Sequence, residues 1–296
     1  MLVLTGFWPV PTIKTVLDAM AFSKMNVLHL HLSDNCRYAV ESVKFPLLTE
    51  RNVGFMKGTY TVADVSTMVA YAKDRGIRII PEVDFPGHAQ GLQGIDGHGL
   101  NFCLTDNSTY AHADLANDRG GQTIATLKAL YTELASMFPD EELFIGADEV
   151  SPQGNCTLTG YTTIERSVCD LVTGDMAGGG LNRTVGGWEE FAFETKVAQS
   201  SKDYIVNTWH YHTQFESTAR GWQTIASNDS HFYLVYGQPY QSYWVDIASG
   251  MNQTQRALLR GGSVSAWVGK YISNRHRDLI FRDASSLTGQ VACDHR

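Results

Sequence analysis

Short apolar runs of strand length alternate along the chain with longer segments whose apolar positions recur every three or four residues. Strands covered on both faces read as continuous apolar runs and their covering helices as stripes, so the alternation points to βα units around a parallel sheet. Leu2–Leu4 reads as a first strand, Asn26–Leu32 as a second, Ile77–Pro81 as a third and Leu143–Ala147 as a fourth. Strands near Thr184–Gly187, Tyr204–Thr208, Phe232–Val235 and Gly262–Trp267 bring the count to eight. Between them, Ile13–Lys24 carries Val16, Leu17, Met20 and Ala21 on one helical face, and Val62–Arg75 is a helix stopped by Gly76. Thr123–Phe138 is a helix ended by Pro139, and Ile164–Val172 has helical spacing. Eight parallel strands in 296 residues suit a closed (β/α)8 TIM barrel, a single α/β domain spanning 1–296. An open doubly wound sheet would want a glycine-rich phosphate turn after its first strand, and Leu4-Thr5-Gly6-Phe7-Trp8 is not one.

The charge balance narrows the partners. Lys+Arg 23 against Asp+Glu 31 gives −8 with no basic run, which argues against nucleic acid. No window approaches eighteen uninterrupted apolar residues, so no membrane span is expected. The start MLVLTGFWPV lacks a basic n-region and reaches Pro9 too soon for a signal peptide. Asn-X-Ser/Thr acceptors at Asn107, Asn155, Asn182, Asn228 and Asn252 nevertheless lean towards the secretory pathway, with a secreted or lysosomal destination. Cys36, Cys103, Cys156, Cys169 and Cys293 show no C-x-x-C spacing. One or two disulfides with a spare thiol, or buried unpaired thiols, both stay open. The oligomeric state is also open, a homodimer included.

In a parallel barrel the reactive groups belong at the C-terminal ends of the strands. Asp34 follows strand two, Glu82 and Asp84 strand three, Asp148 and Glu149 strand four, Trp188 strand five and Trp209 strand six. In extended chain the neighbours Asp148 and Glu149 point to opposite sides, so they do not form the facing pair of ordinary glycosidases. They suit flanking one substrate, with one carboxylate at a leaving group and the other at a neighbouring substituent. A bare Asp-Glu is more often an exposed turn, but this one follows a buried strand. Pro81-Glu-Val-Asp84-Phe-Pro-Gly-His88 holds a carboxylate and an imidazole four apart at a rigid strand exit, able to orient a third group. His29-Leu-His31 would begin a metal site if His210, His212, Asp84 or His88 joined it. Hydrogen-bonded filling of the barrel is the favoured reading, with no metal or other cofactor. Trp188, Trp209, Trp244 and Trp267 are each ordinary core candidates alone. Three at one acidic rim suit the apolar face and hydroxyls of a sugar.

Taken together, these stretches resemble glycoside hydrolase family 20, the β-N-acetylhexosaminidases. The blocks run in order: Phe7-Trp-Pro-Val, Lys24-Met-Asn26 to Asp34, Lys44-Phe-Pro46 to Glu50, Pro81 to His88, Ile145-Gly-Ala-Asp-Glu-Val150, Gly187-Trp188-Glu-Glu190, Thr208-Trp209, Tyr233-Leu234, and Gly261-Gly262 leading to Trp267. The resemblance implies a TIM barrel acting on terminal GlcNAc or GalNAc of glycans. It implies retention of configuration, with the substrate's 2-acetamido oxygen as nucleophile and an oxazolinium intermediate. It makes Glu149 the general acid/base and Asp148 the group that orients the acetamido N–H. Asp84 and His88 become a dyad supporting the acid, and Tyr233 a donor to the acetamido carbonyl. Trp188, Trp209 and Trp267 become the aromatic wall, with Asp34 as a further substrate-site carboxylate. It also implies a Cys103–Cys156 disulfide and a smaller N-terminal domain that this chain lacks, so a fragment is expected. The departures are Thr5 for an arginine, Phe144 for a histidine, Ala147 for a glycine, Val235 for an aspartate and Lys270 where a glutamate is expected nearby. These lost contacts to the distant hydroxyls keep a second reading in view, a weak or inactive glycan-binding relative. A metal-dependent barrel hydrolase comes third.

Overall fold

The computed structural model describes residues 1–34, 37–50, 58–95, 100, 102–103, 112–113, 121–150, 158–174, 180–234 and 245–267. Its barrel strands are β1 (Leu2–Thr5), β2 (Val27–Asp34), β3 (Arg78–Val83), β4 (Glu142–Phe144), β5 (Thr184–Trp188), β6 (Ile205–Thr208) and β7 (Gln223–Ala226). The eighth position is filled by two short strands in tandem, β8 (Leu259–Gly262) and β9 (Val264–Ala266). All pair in parallel in that order, and closure comes because β8 lies beside β7 while β9 lies beside β1. The seam is sealed by backbone bonds from Val264 N to the Met1 carbonyl at 3.0 Å and from Ser263 N to that of Ala226 at 2.9 Å. The barrel is therefore a closed TIM barrel, and every strand delivers its C-terminal end to the same rim.

The covering helices include α1 (Val10–Phe22), α2 (Val62–Lys73), α3 (Gln122–Met137), α4 (Leu158–Thr173), α5 (Glu189–Phe193) and α6 (Thr213–Ala219). Proline stands in the first turn of α1, where its missing N–H has no helical partner to lose. Thr61 and Asp64 close a reciprocal capping box at the start of α2. Helices α1 to α4 turn apolar residues onto the outward face of the strands: Leu17, Met68, Leu127, Leu130 and Ile164 pack with Leu28, Leu30, Leu143 and Val185.

Strand alternation divides the barrel interior into layers. The floor is apolar, made by Ile80, Phe144, Ile205 and Ile225 with Met1 and Val27 packed against them. Phe144, expected to depart from a histidine, occupies space that Gly186 leaves open, since a Cβ there would lie 2.3 Å from its ring. One step higher on the same strands come the buried polar groups His29, Glu82 and Asn207. The interior thus changes from hydrocarbon to charge as it approaches the rim.

One strand lies elsewhere than the sequence pattern indicated. The seventh is Gln223–Ala226, not Phe232–Val235. Its outward Thr224 bonds Ser217 of α6 at 2.7 Å, so only Ile225 is a large apolar residue and the run escapes an apolar-pattern reading. Phe232 instead ends the single helical turn Asp229–Phe232, and Tyr233 makes one bridge to Ser265. The N-cap of that turn is Asn228, buried, with its side-chain oxygen accepting from Ser230 N at 3.1 Å. A glycan cannot sit there on the folded chain. Asn182 and Asn252 are exposed. Asn107, Asn155, Val235, Trp244 and Lys270 lie outside the described residues, as do Cys156 and the Cys103 side chain of the expected disulfide. Cys169 is a buried free thiol on α4. No helix among the described residues is long and apolar enough to cross a membrane.

Candidate active site

The chain leaves β4 through a tight turn. Gly146, Ala147 and Glu149 all have positive φ, at 72°, 65° and 46°. The left-handed region costs a non-glycine residue about 1–2 kcal/mol. Local bonds offset that: Ala147 N donates to Asp84 Oδ1 at 3.0 Å, and Trp188 N donates to the Gly146 carbonyl at 2.8 Å. Gly146 itself has no alternative, because a Cβ there would stand 2.0 Å from Asp84 Oδ1.

This turn overturns the extended-chain expectation for Asp148 and Glu149. Strand pairing ends at Phe144, so the two carboxylates do not diverge to opposite sides. Both reach one imidazole. His88 Nε2 lies 2.8 Å from Glu149 Oε2 and 3.7 Å from Asp148 Oδ2. The Asp148 side chain is 15% exposed and that of Glu149 49%, so one carboxylate sits in the cup while the other stands at its mouth.

The expected Asp84–His88 dyad is corrected in the same way. The ring's other nitrogen, Nδ1, meets Asp34 Oδ1 at 3.1 Å, giving the line Asp34–His88–Glu149. Asp34, expected among the substrate-binding groups, has its second oxygen 3.4 Å from His31 Nε2. Asp84 turns instead to Asp148 and Ala147. The cause is the exit of β3, where Asp84 N is fixed to Ser33 Oγ at 3.0 Å and the side chain points into the barrel.

Each proton follows from these neighbours. The hydrogen bond from His88 holds the Glu149 carboxyl below its ordinary value against partial burial. Burial opposes charge on His88, but Asp148, Asp34 and Glu149 outweigh it and hold the ring protonated well above the usual imidazole range. Burial also opposes charge on Asp34, and His31 and His88 outweigh it, so Asp34 stays ionised. Asp84 is pushed far up by burial and by the charge of Asp148. Asp148 is raised by burial, with His88 and a hydrogen bond from Asp84 opposing. Two facing carboxyls cannot both ionise cheaply, so Asp84 keeps the proton and Asp148 the charge. Beneath them Glu82 lies 2.6 Å from His29 Nε2 and 3.0 Å from His31 Nδ1, and accepts from Trp188 Nε1 at 2.8 Å. His29 and His31 thus fill the barrel as expected, paired to a carboxylate that sequence reasoning left without a role.

The aromatic expectation also takes shape. Trp188 and Trp267 have ring centroids 5.7 Å apart, Trp267 and Tyr233 5.7 Å, and Tyr233 and Trp209 6.5 Å with planes 18° apart. The four residues form one continuous wall. Trp209 Nε1 donates to the Glu190 carboxylate at 3.1 Å, and burial with the nearby Asp148 charge pushes Glu190 up to about 8. Glu189 and Glu190 were legible only as the tail of a Trp-Glu-Glu run; nothing in the sequence showed both to be buried. Two groups, His31–Glu82–Asp84 and Asp84–His88–Asp148, bring possible metal-donor atoms within 4.8 Å of one another. In the first, Glu82 already meets His29, His31 and the Trp188 indole; in the second, Asp84 Oδ1 accepts from Ala147 N and His88 lies between Asp34 and Glu149. Thr5 is buried at the end of β1 and brings a hydroxyl where a guanidinium was expected.

Comparison with known proteins agrees with this geometry. The sequence matches the glycosyl hydrolase family 20 catalytic domain over residues 5–260. It is 30% identical over 306 residues to β-hexosaminidase subunit beta of Felis catus, covering 96% of this chain and 55% of that protein. Against the same subunit of Mus musculus it is 28% identical over 309 residues, covering 96% and 54%. The chain thus spans about half the length of these relatives. The structure of Flavobacterium johnsoniae chitobiase superposes with a TM-score of 0.73 at 25% identity, covering 90% of this chain and 44% of that one. A family 20 exo-β-N-acetylglucosaminidase from Vibrio harveyi, in complex with N-acetylglucosamine, gives 0.75 at 21% identity, covering 94% and 52%. Sequence blocks, closed barrel and rim chemistry meet in one assignment: the chain belongs to glycosyl hydrolase family 20 and carries its catalytic domain.

Proposed function

We propose that this domain removes terminal β-linked N-acetylhexosamine from glycans with retention of configuration, using the substrate's own acetamido group as nucleophile. The observation that carries the reading is that Asp148 and Glu149 share His88 beside a tryptophan wall. Glu149, half exposed at the mouth, protonates the departing glycosidic oxygen. Asp148, ionised beside a protonated Asp84, accepts the acetamido N–H and stabilises the charge that grows there. The acetamido oxygen attacks the anomeric carbon as the glycosidic bond breaks, giving the oxazolinium. Water then attacks that carbon from the vacated side, the bond to the acetamido oxygen breaks to restore the N-acetyl group, and Glu149 takes a proton from the water. The wall of Trp188, Trp267, Tyr233 and Trp209 folds the acetamido arm under its ring. Holding an intramolecular nucleophile near attack geometry can be worth about 7–11 kcal/mol.

His88 and Asp34 set the proton inventory of Glu149. No cofactor enters the scheme, and activity therefore survives chelation. The exposed acceptors Asn182 and Asn252 support passage through the secretory pathway.

Hydrolysis of a chromogenic β-GlcNAc or β-GalNAc substrate, abolished in Glu149→Gln, is the expected result. The second reading, a glycan binder without turnover, is favoured by the hydroxyl of Thr5 at the end of β1. Saturable sugar binding with no hydrolysis by the unmodified protein decides for it.

A further inference from the structure

The loop after β6 carries an imidazole that the scheme above does not use. His210 follows Trp209, whose ring belongs to the wall, and the two ring centroids are 3.7 Å apart. Its Nδ1 donates to Glu189 Oε1, and its backbone N donates to Glu189 Oε2 at 3.2 Å. Glu189 opens α5 directly after Trp188, with its side chain only 6% exposed. It also accepts from Trp209 N at 2.9 Å and Thr213 Oγ1 at 2.6 Å. A buried carboxylate with four donors around it fixes the ring's plane and its tautomer. Nε2 is then left to face outward, on a side chain 53% exposed. His210 follows β6 and Glu149 follows β4, so both stand on the same rim of the barrel. Half-exposed on that rim and packed against Trp209, the ring lies at the solvent edge of the aromatic wall.

Resting on the hydrolase reading, we propose that the Glu189–His210 pair is the binding group for the leaving portion of the substrate, a second hydroxylated sugar whose hydroxyl hydrogen-bonds His210 Nε2. Fixing the ring from behind removes the rotamer entropy that an exposed side chain would otherwise lose on binding. The half-exposed ring fills no core space, and Glu189 keeps Trp209 N, His210 N and Thr213 Oγ1 when the imidazole is removed, so His210→Ala leaves the fold intact.

The test is binding without turnover. In a Glu149→Gln background, calorimetry compares GlcNAc with its β-1,4-linked disaccharide. The disaccharide is expected to bind about tenfold more tightly, and adding His210→Ala should erase that advantage while leaving GlcNAc affinity unchanged. Survival of the advantage in His210→Ala, or equal loss for both sugars, overturns the proposal. A disaccharide that binds no better than GlcNAc overturns it too, with the hydrolase reading standing. If neither sugar binds, the hydrolase reading fails first and takes this one with it.

Discussion

One imidazole hydrogen-bonds two carboxylates in this site, Asp34 through Nδ1 at 3.1 Å and Glu149 through Nε2 at 2.8 Å. Asp34→Asn keeps the shape and an acceptor oxygen but deletes the charge behind the ring. A hydrogen bond to a charged group contributes roughly 1.5–3 kcal/mol. The Asp34 side chain is 35% exposed, so solvent screens part of the interaction and the lower end applies. That corresponds to about one pKa unit. Asp34 helps His88 hold its proton, so removing the charge lets the proton leave at lower pH. Glu149 and His88 titrate as a pair, and the form able to protonate a leaving group carries one proton between them. The alkaline limb of kcat/KM on a nitrophenyl N-acetylglucosaminide should therefore move down by about one pH unit. The value of kcat at the optimum should fall about tenfold, with a smaller change in KM, because both Asp34 oxygens face imidazoles. An alkaline limb that stays in place, or moves up, refutes the arrangement of charges described for His88.

The other expectations probe different parts of the same site. The wild-type profile should be bell-shaped, its acid limb lying above the ordinary aspartate range because burial raises Asp148, which must be ionised to act; Asp148→Asn should remove that limb together with most of the activity. Stability should fall as pH drops through the depressed pKa of Asp34 and also as pH rises through the elevated pKa of His88, each read from denaturant midpoints across pH. Trp188→Phe leaves Glu82 Oε1 without its indole donor and should destabilise the fold by about 1–3 kcal/mol in urea titration. Gly146→Ala forces a Cβ to within 2.0 Å of Asp84 and should lose both stability and activity, whereas Gly76→Ala, also at positive φ but with nothing within 4 Å, should lose only about 1 kcal/mol of stability.

Seven of the eight strand positions were legible because the face each strand turns to its helices stays apolar, as Leu28, Leu30 and Leu32 do on β2 and Ile79 and Val83 on β3. The seventh was hidden because its outward face spends Thr224 on a hydrogen bond to α6, so little apolar pattern survives. At the site, the identities of Asp148, Glu149, His88 and the tryptophans could be read from their places at strand ends. Their pairings could not. An extended β4 exit would separate Asp148 from Glu149, and only the positive φ values from Gly146 to Glu149 turn both towards His88. Nor does spacing along the chain reveal that Asp34, far from His88 in sequence, takes the place expected of Asp84. Burial supplies the remaining hidden part. Glu189 and Glu190 read as the tail of a Trp-Glu-Glu run until the fold buries them, and Glu82 as one more rim carboxylate until His29, His31 and the Trp188 indole enclose it.

The central claim is that the amide of the substrate attacks its own anomeric carbon inside the cup. Replacing the N-acetyl group stepwise by mono-, di- and trifluoroacetyl drains electron density from that oxygen with little change in size. Measuring kcat/KM across this series, with the leaving group held constant, should give a steep and monotonic fall. A flat series would contradict the account, because it would require a nucleophile that belongs to the protein.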